Sequence, residues 1–293
     1  MILGSNGVFM RSPLDNAEVK DSIPAGIYEY IPPGMGTPEK LIETTVEINR
    51  TIPITCEALR EGQEAIKDFF SESERAIAKK QGRVYKKGIL LHGAPGTGKT
   101  HFFWSLIDTY IENDAVIFIE YLAPQQLDAA VSLARMNNPD RPIVLFWDEF
   151  EDIAGYHEHD ILEILDGAHS FPNFLTVAVT NYLTMIPQRL YDRPSRFEEV
   201  ILFDQPNKEA RTKLVSERCA DSELVTWAVE KTDGLSIDHV FKVCREIDKG
   251  GKSRATKYLK NMYQTRILAC QEDDVETTNR RLLEDAENKI KLL

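Results

Sequence analysis

Gly93-Ala94-Pro95-Gly96-Thr97-Gly98-Lys99-Thr100 fits the pattern G-x-x-x-x-G-K-S/T, in which a glycine-rich loop surrounds phosphate groups. A short apolar run, residues 88–92, precedes this loop, and a helix-compatible segment, residues 101–110, follows it. This order of strand, loop and helix is the context in which the pattern predicts a phosphate site. The glycines let backbone N–H groups turn toward the phosphates, Lys99 would reach the β- and γ-phosphates, and the Thr100 hydroxyl would ligate Mg²⁺. A glycine-rich turn that matches by chance is the alternative, and the flanking segments disfavour it.

The composition is that of a globular protein and excludes several functional classes. The chain has 293 residues, of which 42% are hydrophobic and 28% charged, so one large or two modest domains can form a core. Its net charge of −12 argues against a general affinity for nucleic acid backbone. No apolar run approaches the roughly 20 residues that span a bilayer, and the first residues do not resemble a signal peptide. Without such a run we expect no membrane partner. The four cysteines form no C-x-x-C pair, so we expect reduced thiols and a cytoplasmic location.

Short apolar runs alternate with helical patterns through the middle of the chain. Because these runs are rich in Val, Ile and Phe, they are typical of strands buried on both faces. Helical segments lie between most of them, which predicts a doubly wound, five-stranded parallel sheet with helices on both sides. Ligands bind at the carboxyl ends of such strands, where the phosphate loop lies. The runs are residues 88–92, 115–120, 143–147, 174–179 and 199–203.

The segments that flank this region differ from it in pattern. Residues 1–56 are predicted to be an N-terminal extension or arm, with a loop at residues 31–38 because of their proline and glycine content. The α/β domain would cover residues 57–205, beginning with helical periodicity. Four helical segments then predict a small all-helical lid domain at residues 206–270. The charged residues 271–293 are predicted to form a solvated helix or tail.

Two carboxylates follow the third apolar run. Asp148 is placed to hold Mg²⁺, usually through water, because it follows a strand of the same sheet as the phosphate loop. Glu149 is placed to polarise a water molecule for in-line attack on the γ-phosphate. A strand that merely ends in acidic residues is the alternative, and the phosphate loop earlier in the chain disfavours it.

Asn181 follows the fourth apolar run and could orient the attacking water or contact the γ-phosphate. A simple asparagine turn or cap is an equal alternative on the residues alone. Arg193 and Arg196 flank a proline turn and suit delivery of positive charge to a phosphate, either within the chain or across a subunit boundary. Exposed surface arginines are the alternative.

His157-Glu158-His159-Asp160 contains residue types that bind metals. Neighbours at i and i+2 of a helix do not share a face, and we find no second ligand group in the sequence. A polar loop or the beginning of a helix is therefore the preferred interpretation.

Taken together, these segments resemble the AAA+ ATPases, and within them the AAA proper branch. Residues 88–100 are similar to that branch's Walker A segment, and Asp148-Glu149 to its Walker B carboxylates. Thr180-Asn181 resembles sensor 1, and residues 193–198 resemble the arginine-finger segment that inserts into a neighbour's nucleotide site. The resemblance implies a P-loop NTPase fold with a helical lid, Mg²⁺-dependent ATP hydrolysis, and a homo-oligomeric, usually hexameric, ring with shared sites.

The chain also departs from this branch. The pore loop that grips a threaded polypeptide, an aromatic-apolar-Gly sequence after the second strand, has no counterpart in residues 119–127. Tyr121 is the only aromatic residue there, and we interpret it as a core tyrosine at the end of a strand. The lid offers no arginine at the sensor 2 position, which fits this branch and disfavours clamp-loader and initiator relatives.

Three functions remain open from the sequence. The first is an ATP hydrolase with a chaperone-like role, which couples ATP binding and hydrolysis to the remodelling of a protein partner. The second is a nucleic-acid-associated motor or loader, which the acidic charge and the absence of a DNA-binding motif disfavour. The third is an ATP-gated assembly protein with low turnover, which the presence of Glu149 disfavours.

Overall fold

The structure, a computed structural model, describes residues 2–5, 8–10, 18–20, 22–34, 37–46, 57–166, 171–272 and 286–292. The strands are β1 (Ile2–Ser5), β2 (Val8–Met10), β3 (Glu18–Lys20), β4 (Gly26–Ile31), β5 (Lys40–Glu43), β6 (Lys86–His92), β7 (Val116–Phe118), β8 (Ile143–Trp147), β9 (Phe174–Thr180) and β10 (Glu199–Leu202). The helices are α1 (Glu57–Phe69), α2 (Glu72–Lys80), α3 (Lys99–Ser105), α4 (Ile107–Glu112), α5 (Pro124–Ala134), α6 (Phe150–Asp166), α7 (Gln188–Tyr191), α8 (Lys208–Ser216), α9 (Ser222–Lys231) and α10 (Ile237–Glu272). A 3₁₀ turn covers Leu183–Met185.

The five predicted strands are neighbours in one sheet, with β10 at its edge. Their order is β10-β6-β9-β8-β7, and every neighbouring pair is parallel. All side chains of β8 and β9 are buried, so both faces of the sheet are covered at these strands. The predicted parallel sheet is thereby confirmed, and the carboxyl ends of these strands lie at one edge. The predicted number of five strands is wrong, because the described residues place ten strands in this sheet.

The N-terminal residues add further strands to this sheet. Sequence analysis predicted an arm with a loop, whereas the structure has β4 parallel to β7 and then β5, β2, β1 and β3 in antiparallel order. The predicted loop connects β4 to β5, and its Thr37 N–H donates to the Gly34 carbonyl at 2.8 Å. These strands are short, and β4 pairs with a strand far along the chain, so the local pattern does not reveal them.

Arg141 fastens the N-terminal segment to the sheet. Its side chain is 2% exposed and lies beside the backbone that precedes β4 and β7. It donates to the carbonyl of Ile23 and, through Nε at 2.9 Å, to the carbonyl of Asp114, whose carboxylate forms an ion pair with the same guanidinium. A buried guanidinium needs several acceptors, so these contacts hold the two segments in one register.

The chain divides into two compact units, and the second begins at Gln205. Its described elements are all helical, which confirms the predicted helical lid. Asn207 caps α8 by accepting from the Ala210 N–H at 2.9 Å, and Asp221 caps α9 in the same way. Helix α10 is interrupted at Gly250 and Gly251, whose backbone is not helical. No helix in the described part of the chain is both long and apolar enough to cross a membrane.

The approach of two backbones at Gly88 fixes where the chain runs beside β6. A Cβ atom at Gly88 would lie 1.9 Å from the Arg196 carbonyl oxygen, and the Glu198 N–H donates to the Gly88 carbonyl at 2.9 Å. Only a residue without a side chain permits this contact. The segment around Arg196 is therefore held directly against the strand that leads into the phosphate loop.

We expect Gly88→Ala to lower the free energy of unfolding by about 1–3 kcal/mol, because the added methyl group forces two backbones apart. Gly155→Ala is the matched control, since no atom lies within 4 Å of its would-be Cβ. Urea unfolding of both variants measures the difference. Equal stability of the two would contradict the close packing at Gly88.

Candidate active site

The phosphate loop lies between β6 and α3, as predicted, and its glycines adopt backbone conformations that other residues avoid. Gly93, Gly96 and Gly98 have φ values of +144°, +75° and +94°. A Cβ atom at Gly93 would also lie 2.2 Å from the carbonyl oxygen of Phe203. The Thr97 hydroxyl donates to the Ala94 carbonyl at 2.9 Å and closes the loop on itself. The glycines are thus required both for the turn and for its packing.

Lys99 is the centre of the site. Its side chain is 4% exposed, and Nζ donates to the carbonyls of Gly93 and Ala94 at 2.7 and 2.9 Å and to Asn181 Oδ1 at 2.9 Å. Burial lowers the pKa of Lys99, while the negative charges of Glu151 and Asp148 act in the opposite direction. The ammonium group is therefore enclosed by acceptors that a phosphate can replace.

Thr100 and Asp148 lie side by side, as expected of two ligands to one ion. The Thr100 hydroxyl donates to Asp148 Oδ1 at 3.3 Å. A hydroxyl and a carboxylate oxygen are ligands that Mg²⁺ accepts in proteins. The donor set that the structure brings together therefore fits the predicted ion.

Glu149 has an unusual backbone conformation. Its φ is +48°, in the left-handed region, and its N–H donates to Asp148 Oδ1 at 3.0 Å. Such a conformation costs a non-glycine residue about 1–3 kcal/mol and is found most often at functional sites. The side chain is exposed at the carboxyl edge of the sheet, next to Asp148.

Asn181 lies at the end of β9, where its side chain accepts a hydrogen bond from Lys99 and its backbone N–H donates to Glu151. Its N–H donates to Glu151 Oε1 at 3.2 Å, and Glu151 is 7% exposed. The sequence motifs do not include Glu151. The only indication available was its position two residues after Glu149, and an acid in the first turn of a helix is ordinarily a solvated one.

The two arginines have different surroundings. Arg193 is exposed, whereas Arg196 is 9% exposed. Arg196 Nε donates to Asp166 Oδ2 at 2.5 Å, and its guanidinium also donates to the Arg189 carbonyl. Neither arginine contacts Lys99, Asp148 or Asn181 within the described chain. Of the two arginines, only Arg193 has a side chain that forms no hydrogen bond or ion pair with the described residues.

The residues after β7 are packed rather than projecting. Tyr121 donates to Asp160 Oδ2 at 2.5 Å, and its ring stacks on His157 with the centroids 4.0 Å apart. The expected core position is wrong, because Tyr121 is only half-buried and contacts the polar side chains of α6. Helix α5 already begins at Pro124, so residues 119–123 are all that separates it from β7.

The histidine-rich segment lies inside α6, at a kink where His157 leaves the helical conformation. The sequence pattern predicted a polar loop or the beginning of a helix, without a further metal ligand. The structure groups the ligand atoms of His159, Asp160 and Glu163 within 4.8 Å of one another, and Glu163 is the residue at i+4 from His159 that the sequence search overlooked. Asp160 already accepts from Tyr121. We assign no metal to this group.

Comparisons with known proteins agree with this geometry. Residues 89–205 match the sequence model of the family described as "ATPase family associated with various cellular activities (AAA)". The peroxisomal ATPase pex1 of Schizosaccharomyces pombe is 32% identical over 178 residues, 54% of this chain and 18% of that protein. The Cell division cycle protein 48 homolog of Archaeoglobus fulgidus is 30% identical over 186 residues, 55% of this chain and 25% of that protein.

A third relative is the ATP-dependent zinc metalloprotease FtsH 2 of a Thermoanaerobacter species, which is 26% identical over 199 residues, 61% of this chain and 38% of the relative. The chain thus spans well under half the length of each of these three relatives. The matched residues include the phosphate loop, both carboxylates and Asn181. Over residues 89–205 the chain is therefore similar to the ATPase domain of the AAA family.

Proposed function

We propose that this protein is a Mg²⁺-dependent ATP hydrolase that assembles into a homo-oligomeric ring, most simply a hexamer, and couples hydrolysis to the remodelling of a protein partner. The observation that carries the proposal is the buried Lys99 ammonium, which bonds to the phosphate loop and to Asn181 together. A phosphate that replaces these neutral acceptors gains a charge-assisted contact. The same phosphate would then lie beside Asn181, so nucleotide binding would change the hydrogen bonds at the end of β9.

ATP would bind with its phosphates in the loop of residues 93–100. Thr100 and Asp148 would hold Mg²⁺, which when bound supplies positive charge against the phosphates. Glu149 would accept a proton from the attacking water, whose oxygen bonds to the γ-phosphorus as the bond to the ADP oxygen breaks. Asn181 would orient that water or the γ-phosphate.

Arg193 would supply charge from a neighbouring subunit. It is exposed, and none of its own chain's described acceptors engages it, so its guanidinium can reach another copy. Arg196 would have to leave Asp166 before it could do the same. We therefore propose Arg193 as the principal residue that acts between subunits, with Arg196 as a second candidate.

A protein partner is favoured over nucleic acid by the charge of the chain and by the names of its relatives. The net charge of −12 opposes a general attraction to phosphate backbones. One relative, named an ATP-dependent zinc metalloprotease, combines ATP use with a protein substrate. The free thiols of Cys219 and Cys244 are consistent with a reducing, cytoplasmic location, which we also propose.

Lys99→Ala should abolish ATP binding, because no other described cation donates to the loop carbonyls. Lys67→Ala, which removes an exposed lysine from α1, is the control and should bind normally. Titration with a fluorescent ATP analogue measures both. Affinity near that of the unaltered chain in Lys99→Ala would refute the assignment of the loop.

Glu149→Gln should retain ATP binding and lower kcat by about a hundredfold or more, because the amide cannot accept the proton from water. Phosphate release under saturating ATP measures the rate, and the same fluorescent titration measures binding. If kcat were unchanged, another group would have to be the base.

Arg193→Ala should lose ATPase activity while keeping its stability and ATP affinity. Mixing it with Lys99→Ala protein should restore part of the activity, since in a mixed ring an intact arginine can meet an intact phosphate loop. Arg196→Ala should instead lower the Tm, because it removes the donor to Asp166 Oδ2 and to the Arg189 carbonyl. Absence of recovery at every mixing ratio, with rings shown by gel filtration in ATP, would count against shared sites.

A further inference from the structure

Glu151 is a buried carboxylate that the mechanism above does not use. We propose that it is a positioning residue for ATP hydrolysis, which anchors the backbone of Asn181 and thereby sets where the Asn181 amide stands beside Lys99. The proposal rests on the hydrolytic function proposed above. Glu151 lies in the first turn of α6, two residues beyond the carboxylate that activates water.

The contacts of Glu151 give the fold no reason of its own for an acid at this position. The side chain is 7% exposed, Oε1 accepts from the Asn181 N–H at 3.2 Å, and no described residue donates to the buried Oε2. No lysine or arginine within the described chain forms an ion pair with it. Burying a carboxylate with so few donors is costly, and a methionine of similar size would fill the space without that cost.

The position of Glu151 connects the two ends of the site. Asn181 has one contact on each side, because its side chain accepts from Lys99 and its backbone donates to Glu151. Burial lowers the pKa of Lys99, and the negative charge of Glu151 acts on that pKa in the opposite direction. One acidic side chain thus acts on both residues that meet the phosphate.

The anchor matters most when a nucleotide binds. Lys99 must then leave the loop carbonyls and Asn181 Oδ1 in order to reach the phosphates, so the Asn181 side chain loses its described partner. The backbone bond to Glu151 Oε1 does not depend on Lys99 and can persist. It would keep Asn181 at the distance from the γ-phosphate that an orienting group requires.

The test separates the hydrogen-bond acceptor from the charge. Glu151→Met keeps the volume and removes the acceptor, Glu151→Gln keeps an acceptor oxygen and removes the charge, and Asp152→Asn removes a charge from the same turn at an exposed position. We expect Glu151→Met to lower kcat by about tenfold or more, with the KM for ATP changed by less than about threefold. Glu151→Gln and Asp152→Asn should both keep kcat within about threefold of the unaltered chain.

Two further readouts connect the effect to Asn181. Hydrogen exchange at the Asn181 amide should be faster in Glu151→Met and unchanged in Glu151→Gln and Asp152→Asn. Adding Glu151→Met to Asn181→Ala should lower kcat no further, because the anchor acts only through the asparagine. The exchange measurement needs no turnover, so an inactive unaltered chain would contradict the proposed function and leave the anchor testable.

Several results would overturn the proposal. They are a Glu151→Gln variant as impaired as Glu151→Met, additive losses with Asn181→Ala, or a raised KM with kcat retained. If Glu151→Met does not fold, Glu151→Ala replaces it. Failure of both to fold, while Glu151→Gln folds and is active, would assign Glu151 to the stability of the fold and also overturn the proposal.

Discussion

A buried lysine ammonium group needs protein acceptors for its three N–H bonds. The burial of Lys99 therefore requires three acceptor oxygens around its Nζ. Two of its acceptors are carbonyls of the phosphate loop, and these point inward only because the flanking glycines adopt conformations with positive φ. The third is Asn181, which places the end of β9 against the loop. Loop shape, strand order and the nearby carboxylates are thus linked through one cation.

The proposed binding of a nucleotide would change the hydrogen bonds that Lys99 makes. Without phosphate, Lys99 holds the loop and Asn181 together through neutral oxygens. Under the proposed function, a phosphate would offer charged oxygens to the same ammonium group, and Lys99 would exchange its hydrogen-bond partners. The side chain of Asn181 would then lose Lys99, while its backbone N–H has a separate acceptor in the first turn of α6.

The parts of the fold and site that could be predicted are those with local causes. The loop pattern, the apolar runs and the acids after β8 each follow from a few adjacent residues, and their convergence follows from the parallel sheet. The burial of Glu151 and the pairing of Arg196 with Asp166 could not be predicted, because they depend on side chains that meet only after folding. Arg193 and Arg196 flank the same proline turn, so their local sequence is alike. Only the folded chain shows that Arg193 is exposed and Arg196 is buried. The N-terminal strands escaped prediction because β4 pairs with a strand about ninety residues away, beyond any local periodicity.

That pairing also affects when the sheet can form during synthesis. Ribosomes deliver β4 and β5 well before β7, the strand that β4 must join. Until then the edge of β4 that pairs with β7 has no partner strand. Unpaired strand edges of this kind are prone to aggregation during synthesis. The pairing of β4 can therefore be completed only after residues 116–118 have been synthesised.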